Sequence, residues 1–340
     1  MAPRPQPTRS LPQSRDRMAV RVSMNRLPRV SVIIPCYNAR PYVGATLRSV
    51  HAQQGVDLDV IVVDDGSSDG SSDLVERDFP GVRVVRQVNQ GVAVARNRGI
   101  AEARHDWVAF IDADDLWLPG KLQAQFERLA ATPDARMAYT AWVVWNSDGP
   151  EPPAPWLAEL ASRAAEPARW AGPDGWIYPD LLLDCRVWTS GVLAERTLLR
   201  ELGGFSPELR IGEDYDLWLR ASRLTPIVRV ARPLAIYRLH STSITRRVPA
   251  ANHKADIVER ALRQWGYAGP DGRCARRADV ARGLARSWAD FAGAQLDAGR
   301  VRAALAAALR SVRTWPGQLP GWMVLARSTV GLWTRVHDLR

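Results

Sequence analysis

The sequence predicts an α/β fold: a mostly parallel central sheet flanked by helices, followed by a helical C-terminal region. Three observations carry this. Short apolar runs alternate with amphipathic helical patterns from Arg29 onward, as in β-α-β units whose crossovers place helices on both sheet faces. Acidic or turn-forming residues fall where those runs stop, which is where open parallel sheets place ligands. Beyond about Ala250 the strand signal vanishes and helical periodicity takes over.

The elements follow in order. Val30 to Pro35 reads as the first strand, and Pro41 to Gln53 as a helix with Val43, Leu47 and Val50 on one face. Leu58 to Val63 is a second strand, with a Gly/Ser/Asp loop and a helix near Ser71 to Arg77 behind it. Val82 to Arg86, Gln90 to Arg104 and Trp107 to Ile111 continue as strand, helix and strand. Lys121 to Ala130 is a helix and Met137 to Trp145 a strand. Gly149 to Pro179, rich in Pro, Gly, Ala and Trp, reads as a long insertion or lid. Order returns at Val187 to Leu193, and a helix from Glu195 to Leu202 stops at Gly203-Gly204. Asp214 to Arg223 is helical, Ile227 to Tyr237 extended, and Arg238 to Arg247 a loop. Ala281 to Ala298 and Val301 to Val312 read as a helical hairpin that resembles one tetratricopeptide-type unit.

Composition bounds the reading. A chain of 340 residues, 46% hydrophobic, is long enough for one large core and a smaller second unit. Cys36, Cys185 and Cys274 are far apart, an odd number with neither zinc nor disulfide spacing. A reducing cytoplasm is therefore expected. Residues 1–28 are Pro- and Arg-rich and read as a disordered basic tail, with Met18 and Met24 as alternative starts. The tail has no apolar stretch of a secretory signal. No run approaches the roughly 18 apolar residues of a membrane-spanning helix. The net charge of +10 suits an anionic partner. The arginines form no stripe with interleaved aromatics and no nucleic-acid motif. Nucleic acid is therefore not expected. Peripheral contact of the C-terminal region, around Trp315 to Trp333, with an anionic membrane is expected.

Trp107-Val-Ala-Phe-Ile-Asp-Ala-Asp-Asp115 is the most informative segment: a buried-strand pattern that ends in three carboxylates within four positions. Carboxylates so close repel and raise one another's pKa, a strain that a hard divalent cation relieves. An acidic turn opening the next helix is the competing reading. Three other stations resemble it: Pro35-Cys36-Tyr37-Asn38, Val63-Asp64-Asp65-Gly66-Ser67-Ser68-Asp69, and Gly212-Glu213-Asp214-Tyr215-Asp216. Taken alone, the last is also a helix start with favourable dipole charges. Asp65, Ser67, Asp69, Gly70 and Glu76 loosely fit a calcium loop, but the apolar run before them is a strand, not the required helix. No Walker motif exists, and no Gly-x-Gly-x-x-Gly follows the first strand.

Together with Ala95-Arg96-Asn97-Arg98-Gly99, these stations resemble, in order and spacing over Val30 to His240, the family 2 glycosyltransferases of the GT-A fold. The resemblance implies an inverting, non-processive, metal-dependent transfer of one sugar from a nucleotide-sugar donor, by family default a UDP-sugar. The acceptor would be a glycan, lipid-linked or other cell-envelope hydroxyl. It makes 29–247 the catalytic domain and 248–340 a helical region. By similarity, Pro35 and Asn38 border the nucleotide, Asp65 accepts from the base, and Arg96 lies near the nucleotide, with Ala113 beside it. Asp112 contacts ribose or metal, and Asp114 ligates Mn²⁺ or Mg²⁺. His240 matches a position that approaches the metal or diphosphate. Asp214 is the general base. Asp115 only begins the following turn. Trp188, Ser190, Gly191 and Glu213 would border the acceptor. Trp142, Trp145, Trp156, Trp170 and Trp176 cluster in the same stretch, most of them as packing.

One departure narrows the class. Arg263-Gln264-Trp265 is not the Gln-x-x-Arg-Trp motif of processive members. Two alternatives remain: a nucleotidyltransferase acting on a sugar phosphate, and a non-catalytic scaffold. The first lacks its Gly-rich basic loop after strand one, and the second is at odds with intact carboxylates at every station.

Overall fold

The computed structural model describes residues 27–164 and 170–337. The expected disordered tail lies almost entirely outside them. Four parallel strands build one half of an eight-stranded sheet: β1 (Arg29–Cys36), β2 (Asp57–Asp64), β3 (Arg83–Arg86) and β4 (Trp107–Phe110), in the order β3-β2-β1-β4. Helices α1 (Val43–His51), α2 (Ser71–Asp78) and α3 (Val92–Glu102) make the crossovers. Continuous apolar runs are required here because alternate side chains feed two cores. Ile33, Ile61, Val63 and Phe110 face one, and Val32, Ile34, Val62 and Ile111 the other. α3 packs close on β1. A Cβ on Gly99 would stand 2.3 Å from the Ile33 side chain, so the helix needs a glycine there.

The second half of the sheet departs from the parallel expectation. β5 (Leu116–Trp117), helix α4 (Lys121–Ala130) and β6 (Met137–Asn146) lead into the insertion. The insertion carries helix α5 (Ala154–Ala164) and a short helix α6 (Tyr178–Leu181). β7 (Val192–Glu195) then runs antiparallel between β4 and β6. After helices α7 (Arg196–Glu201) and α8 (Glu213–Ala221), β8 (Ile227–Leu239) pairs parallel with β6 and antiparallel with β5. β5 was invisible in sequence because two residues carry no periodicity. β8 extends past Tyr237, so Arg238 lies in a strand rather than in the loop expected of it.

The C-terminal chain forms α9 (His253–Trp265), α10 (Arg277–Asp297), α11 (Val301–Thr314) and α12 (Leu319–His337). Ala289, Ala292, Ala304 and Ala308 are buried where α10 and α11 close on each other, as small side chains at helical spacing allow. Ser311 and Gln318 both donate to the Ala285 carbonyl, at 2.7 and 2.8 Å. α9 starts at Asn252, whose Oδ1 accepts from the Ala255 amide at 3.2 Å. It lies directly on α8. Gly212 has φ 81°, and a Cβ there would sit 2.5 Å from Ile257. Arg260 reaches Asp216 at 2.5 Å.

Candidate functional site

The carboxyl ends of β1, β2 and β4 point to one edge of the sheet, and each ends in a polar turn. Asn38 follows β1 with φ 50°, a left-handed conformation that asparagine tolerates. Its Oδ1 accepts from the Ser68 amide at 2.8 Å, and its own amide donates to Ser67 Oγ at 3.0 Å. The loops after β1 and β2 are thus laced together. Pro35 is buried within β1, in register with Val63.

Asp65 is 3% exposed, and its carboxylate is engaged by its own chain. Oδ1 accepts from Gln87 Nε2 at 2.8 Å and the Gln90 amide at 2.9 Å, and Oδ2 from the Gly91 amide at 2.8 Å. The residue expected to meet the base therefore also fixes the turn into α3.

Arg96 rises from α3 on the buried face that carries Ala93, Ala95 and Gly99. One nitrogen donates to Asp112 Oδ1 at 2.6 Å and another to Glu213 Oε1 at 2.5 Å. The sequence separations are 16 and 117 residues. This single buried cation joins the β4 station to the α8 station. Burial pulls the guanidinium down, but Asp112 and Glu213 together hold it above its ordinary value. Burial pushes Glu213 up to about 7, against the pull of Arg96 and with the help of the Asp214 charge. Asp112 is raised by burial too, opposed by Arg96.

The three carboxylates after β4 separate into different roles. Asp112 meets Arg96, and its amide is held by Ser190 Oγ at 3.1 Å. Asp114 meets His240, with Nε2 and Oδ2 3.0 Å apart. Asp115, expected only to begin a turn, is fully buried. It accepts from Ser190 Oγ at 2.5 Å, Trp188 Nε1 at 3.0 Å and the Arg238 amide at 3.0 Å. Burial and the neighbouring Asp114 and Asp112 charges raise it well above the usual carboxylate range. Ala113 is buried, and its carbonyl accepts from Thr46 at 2.9 Å.

His240, directly after β8, closes the site. Its Nδ1 lies 2.9 Å from Thr242 Oγ1, and its ring lies tilted against Tyr42, 4.6 Å between ring centres. One imidazole nitrogen is thus fixed and the other faces Asp114, the arrangement in which a second contact orients a metal-binding histidine. Among the described residues, no three His, Cys, Asp or Glu side chains converge into a metal cage. Mg²⁺ and Mn²⁺ do not need one, since carboxylates plus substrate phosphates complete their shells. The Asp114–His240 pair, with the carboxylate partly open to solvent, fits such an ion.

Asp214 stands in the first turn of α8. Thr189 Oγ1 donates to its Oδ2 at 2.9 Å, and the Tyr215 amide lies 2.7 Å from Oδ1. Three residues expected at an acceptor turn inward instead. Ser190 bridges Asp112 and Asp115, the Gly191 carbonyl accepts from Gln125 at 2.9 Å, and Glu213 serves Arg96. Small and polar residues beside a strand end look alike in sequence whether they face substrate or core. Trp188 remains half-buried, 4.4 Å from Tyr237 and 5.5 Å from Trp142 between ring centres.

Sequence reasoning overlooked Arg238. It is fully buried and donates to the carbonyls of Asp114, at 2.6 Å, and of Gly149 and Pro150. Its guanidinium also lies over Tyr42 and Trp145, at 4.9 and 4.7 Å. It ties the acidic turn after β4 to the start of the insertion. An arginine near the end of the apolar stretch Leu234 to Leu239 was the available signal, because a buried charge requires partners.

Comparison with known proteins identifies the family and the fold. Residues 31–171 match the model of glycosyl transferase family 2. The amylovoran biosynthesis glycosyltransferase AmsB of Erwinia amylovora is 32% identical over 244 residues, 68% of this chain and 75% of AmsB. The Escherichia coli protein WfgD, a UDP-Glc:alpha-D-GlcNAc-diphosphoundecaprenol beta-1,3-glucosyltransferase, is 28% identical over 64% of this chain and 79% of its own. The mannosyltransferase PcManGT from Pyrobaculum calidifontis, solved with GDP-Man and Mn²⁺, superposes with a TM-score of 0.56. It is 22% identical, over 90% of this chain and 81% of that one, and speaks for the fold. With its sheet topology, helical C-terminal region and ordered stations, the chain belongs to glycosyl transferase family 2, has the GT-A fold, and is a glycosyltransferase.

Proposed function

We propose that the protein moves one sugar, with inversion, from a nucleotide-sugar donor to a hydroxyl of a cell-envelope glycan or lipid-linked acceptor. A UDP-sugar is the favoured donor. The reading rests on one observation above the others: Arg96 binds Asp112 and Glu213 at once, so the donor turn and the Asp214 turn form one rigid unit. The substrates in the name of WfgD support a nucleotide-sugar donor and a lipid-linked acceptor.

Asp214 serves as the general base. It accepts the proton of the acceptor hydroxyl while that oxygen attacks the anomeric carbon, and the bond from that carbon to the diphosphate oxygen breaks. Thr189 holds the carboxylate in place, which leaves its remaining lone pairs for the incoming proton. Asp114 and His240 would hold the divalent cation, which offsets the charge on the departing nucleoside diphosphate. Asn38 and Asp65 shape the turns that receive the nucleotide.

The start of α12 fits the inner face of an anionic membrane, where a lipid-linked acceptor would be met. Leu319, Trp322 and Met323 are 69%, 47% and 55% exposed there. No described helix is long and apolar enough to cross a membrane.

Asp214→Asn tests the reading. Transfer is expected to fall by about 10²–10⁴-fold, the usual worth of a general base, while nucleotide binding in Mn²⁺ persists. Transfer near the wild-type rate would overturn the base assignment.

A further inference from the structure

A second cleft, of about 330 Å³, opens beside the aromatic cluster of Trp142, Trp188 and Tyr237. Its lining includes Trp142, Trp170, Cys185, Arg186 and Arg229. The β6–β8 register shifts between Thr140 and Trp142, an irregularity that re-aims side chains and opens the sheet at this point. Arg229, on β8, projects into the opening.

Arg229 is partly buried. Its Nε and Nη1 are out of contact with solvent and have no hydrogen-bond partner among the described residues. Buried guanidinium donors are normally paired, because leaving one unpaired costs its full desolvation. Asp174 is committed elsewhere: it takes the Arg229 amide with one oxygen and Arg128 with the other, at 2.7 and 2.5 Å. Arg186 adds a second positive charge on the same cleft, and its one close carboxylate, Asp184, lies 3.9 Å away. Asp184 also borders the cleft, but Lys254 neutralises it at 2.9 Å. Burial lowers the Arg229 pKa, and the Arg186 charge lowers it further. Two guanidinium groups thus border one cleft, and among the described residues the carboxylates near them, Asp174 and Asp184, are shared with Arg128 and Lys254.

The position is as telling as the charge. Trp142 separates the cleft from Trp188, which is bonded to Asp115. Cys185, on the cleft wall, is close enough to Asp214 for its thiol to be raised by that charge as well as by burial. The cleft therefore lies on the Asp214 side of the site, where the function proposed above puts the acceptor hydroxyl.

We propose that this cleft is a subsite for an anionic group of the acceptor, a phosphate or a carboxylate, held by Arg229 and Arg186 between the faces of Trp142 and Trp170. Guanidinium forks pair with both groups in bidentate geometry. The diphosphate of a lipid carrier and the carboxylate of an acidic sugar share this chemistry. The assignment to the acceptor rests on the function proposed above; the anion site itself does not.

Calorimetric titration of the full chain with inorganic pyrophosphate and, separately, with glucuronate tests it, with EDTA present throughout to silence metal-dependent binding of diphosphate. Binding of pyrophosphate alone favours the lipid diphosphate, and binding of glucuronate favours an acidic sugar. Either affinity is expected to fall by about tenfold or more in Arg186→Met and Arg229→Met, as loss of a charge-assisted pair implies. Arg186 is exposed, so its replacement leaves folding intact. Gly172→Ala gives a third arm. A Cβ at that position would stand 1.8 Å from Arg229 Nη1 and force the guanidinium out of place without removing it. Failure of both anions to bind at millimolar concentration, or equal binding to all three variants, would overturn the proposal. Because no donor, metal or turnover enters the titration, its failure is distinguishable from failure of the Asp214 assignment.

Discussion

The Ser190 hydroxyl donates to the fully buried Asp115 carboxylate at 2.5 Å, and its oxygen accepts the Asp112 amide at 3.1 Å. One small side chain thereby holds both ends of the acidic turn that follows β4. The same Asp115 carboxylate takes Trp188 Nε1 and the Arg238 amide, so β4, β8 and the turn before β7 meet on it.

Asp115→Ala strips three donors of their acceptor at once. It is expected to destabilise the fold by roughly 3 kcal/mol, the range for orphaned buried polar groups. Urea unfolding followed by tryptophan fluorescence measures this. A loss below about 0.5 kcal/mol, the scale of an ordinary surface change, would contradict the hub role.

Arg96→Met leaves Asp112 and Glu213 buried without their cation. Removing one partner of a buried pair costs about 3–5 kcal/mol. Adding Glu213→Gln in the same chain should recover part of that loss, because one uncompensated charge disappears. Strict additivity of the two changes would argue that the pair is not coupled.

Glu213 sets a pH signature. Its folded-state pKa, about 7, stands above the ordinary 4.5, with burial the first cause. A carboxyl raised on folding contributes stability that is complete below its unfolded pKa and is lost as pH rises through the folded one. Between about pH 4.5 and 7 this group therefore lowers the melting temperature as pH rises, opposite in sign to an exposed ion pair. Glu213→Gln should remove that component of the slope. Parallel Tm–pH curves for the two proteins would refute it.

Metal dependence should track Asp114 and His240. Asp114→Ala is expected to abolish the Mn²⁺ enhancement of nucleoside diphosphate binding. His240→Ala should weaken it by about tenfold or more, within the range for loss of a supporting contact. Calorimetry with and without EDTA reads both. Mn²⁺ enhancement that survives Asp114→Ala would remove Asp114 from the metal site.

Much of this was legible in the residues. The centres of β1, β2 and β4 are apolar runs covered on both sheet faces, so hydrophobicity marks them, whereas β3 is a short, partly buried strand between two arginines. The order of the acidic stations follows from chain order, and a family resemblance could be read from it. The β5 pair, by contrast, is too short for any period, and β7 is antiparallel only because β4 and β6 receive it from either side.

What the sequence alone determined was therefore the parallel half of the sheet, the helices that cross it and which turns carry carboxylates, since these depend on local periodicity and chain order. The tertiary structure alone decided how the carboxylates divide their work. Asp112, Asp114 and Asp115 are near-identical in sequence, yet Arg96, His240 and Ser190 come to them from 16, 126 and 75 residues away. Whether a carboxylate meets a cation, an imidazole or a buried hydroxyl sets its charge and its exposure. Those partners are chosen by packing, not by neighbours in the chain.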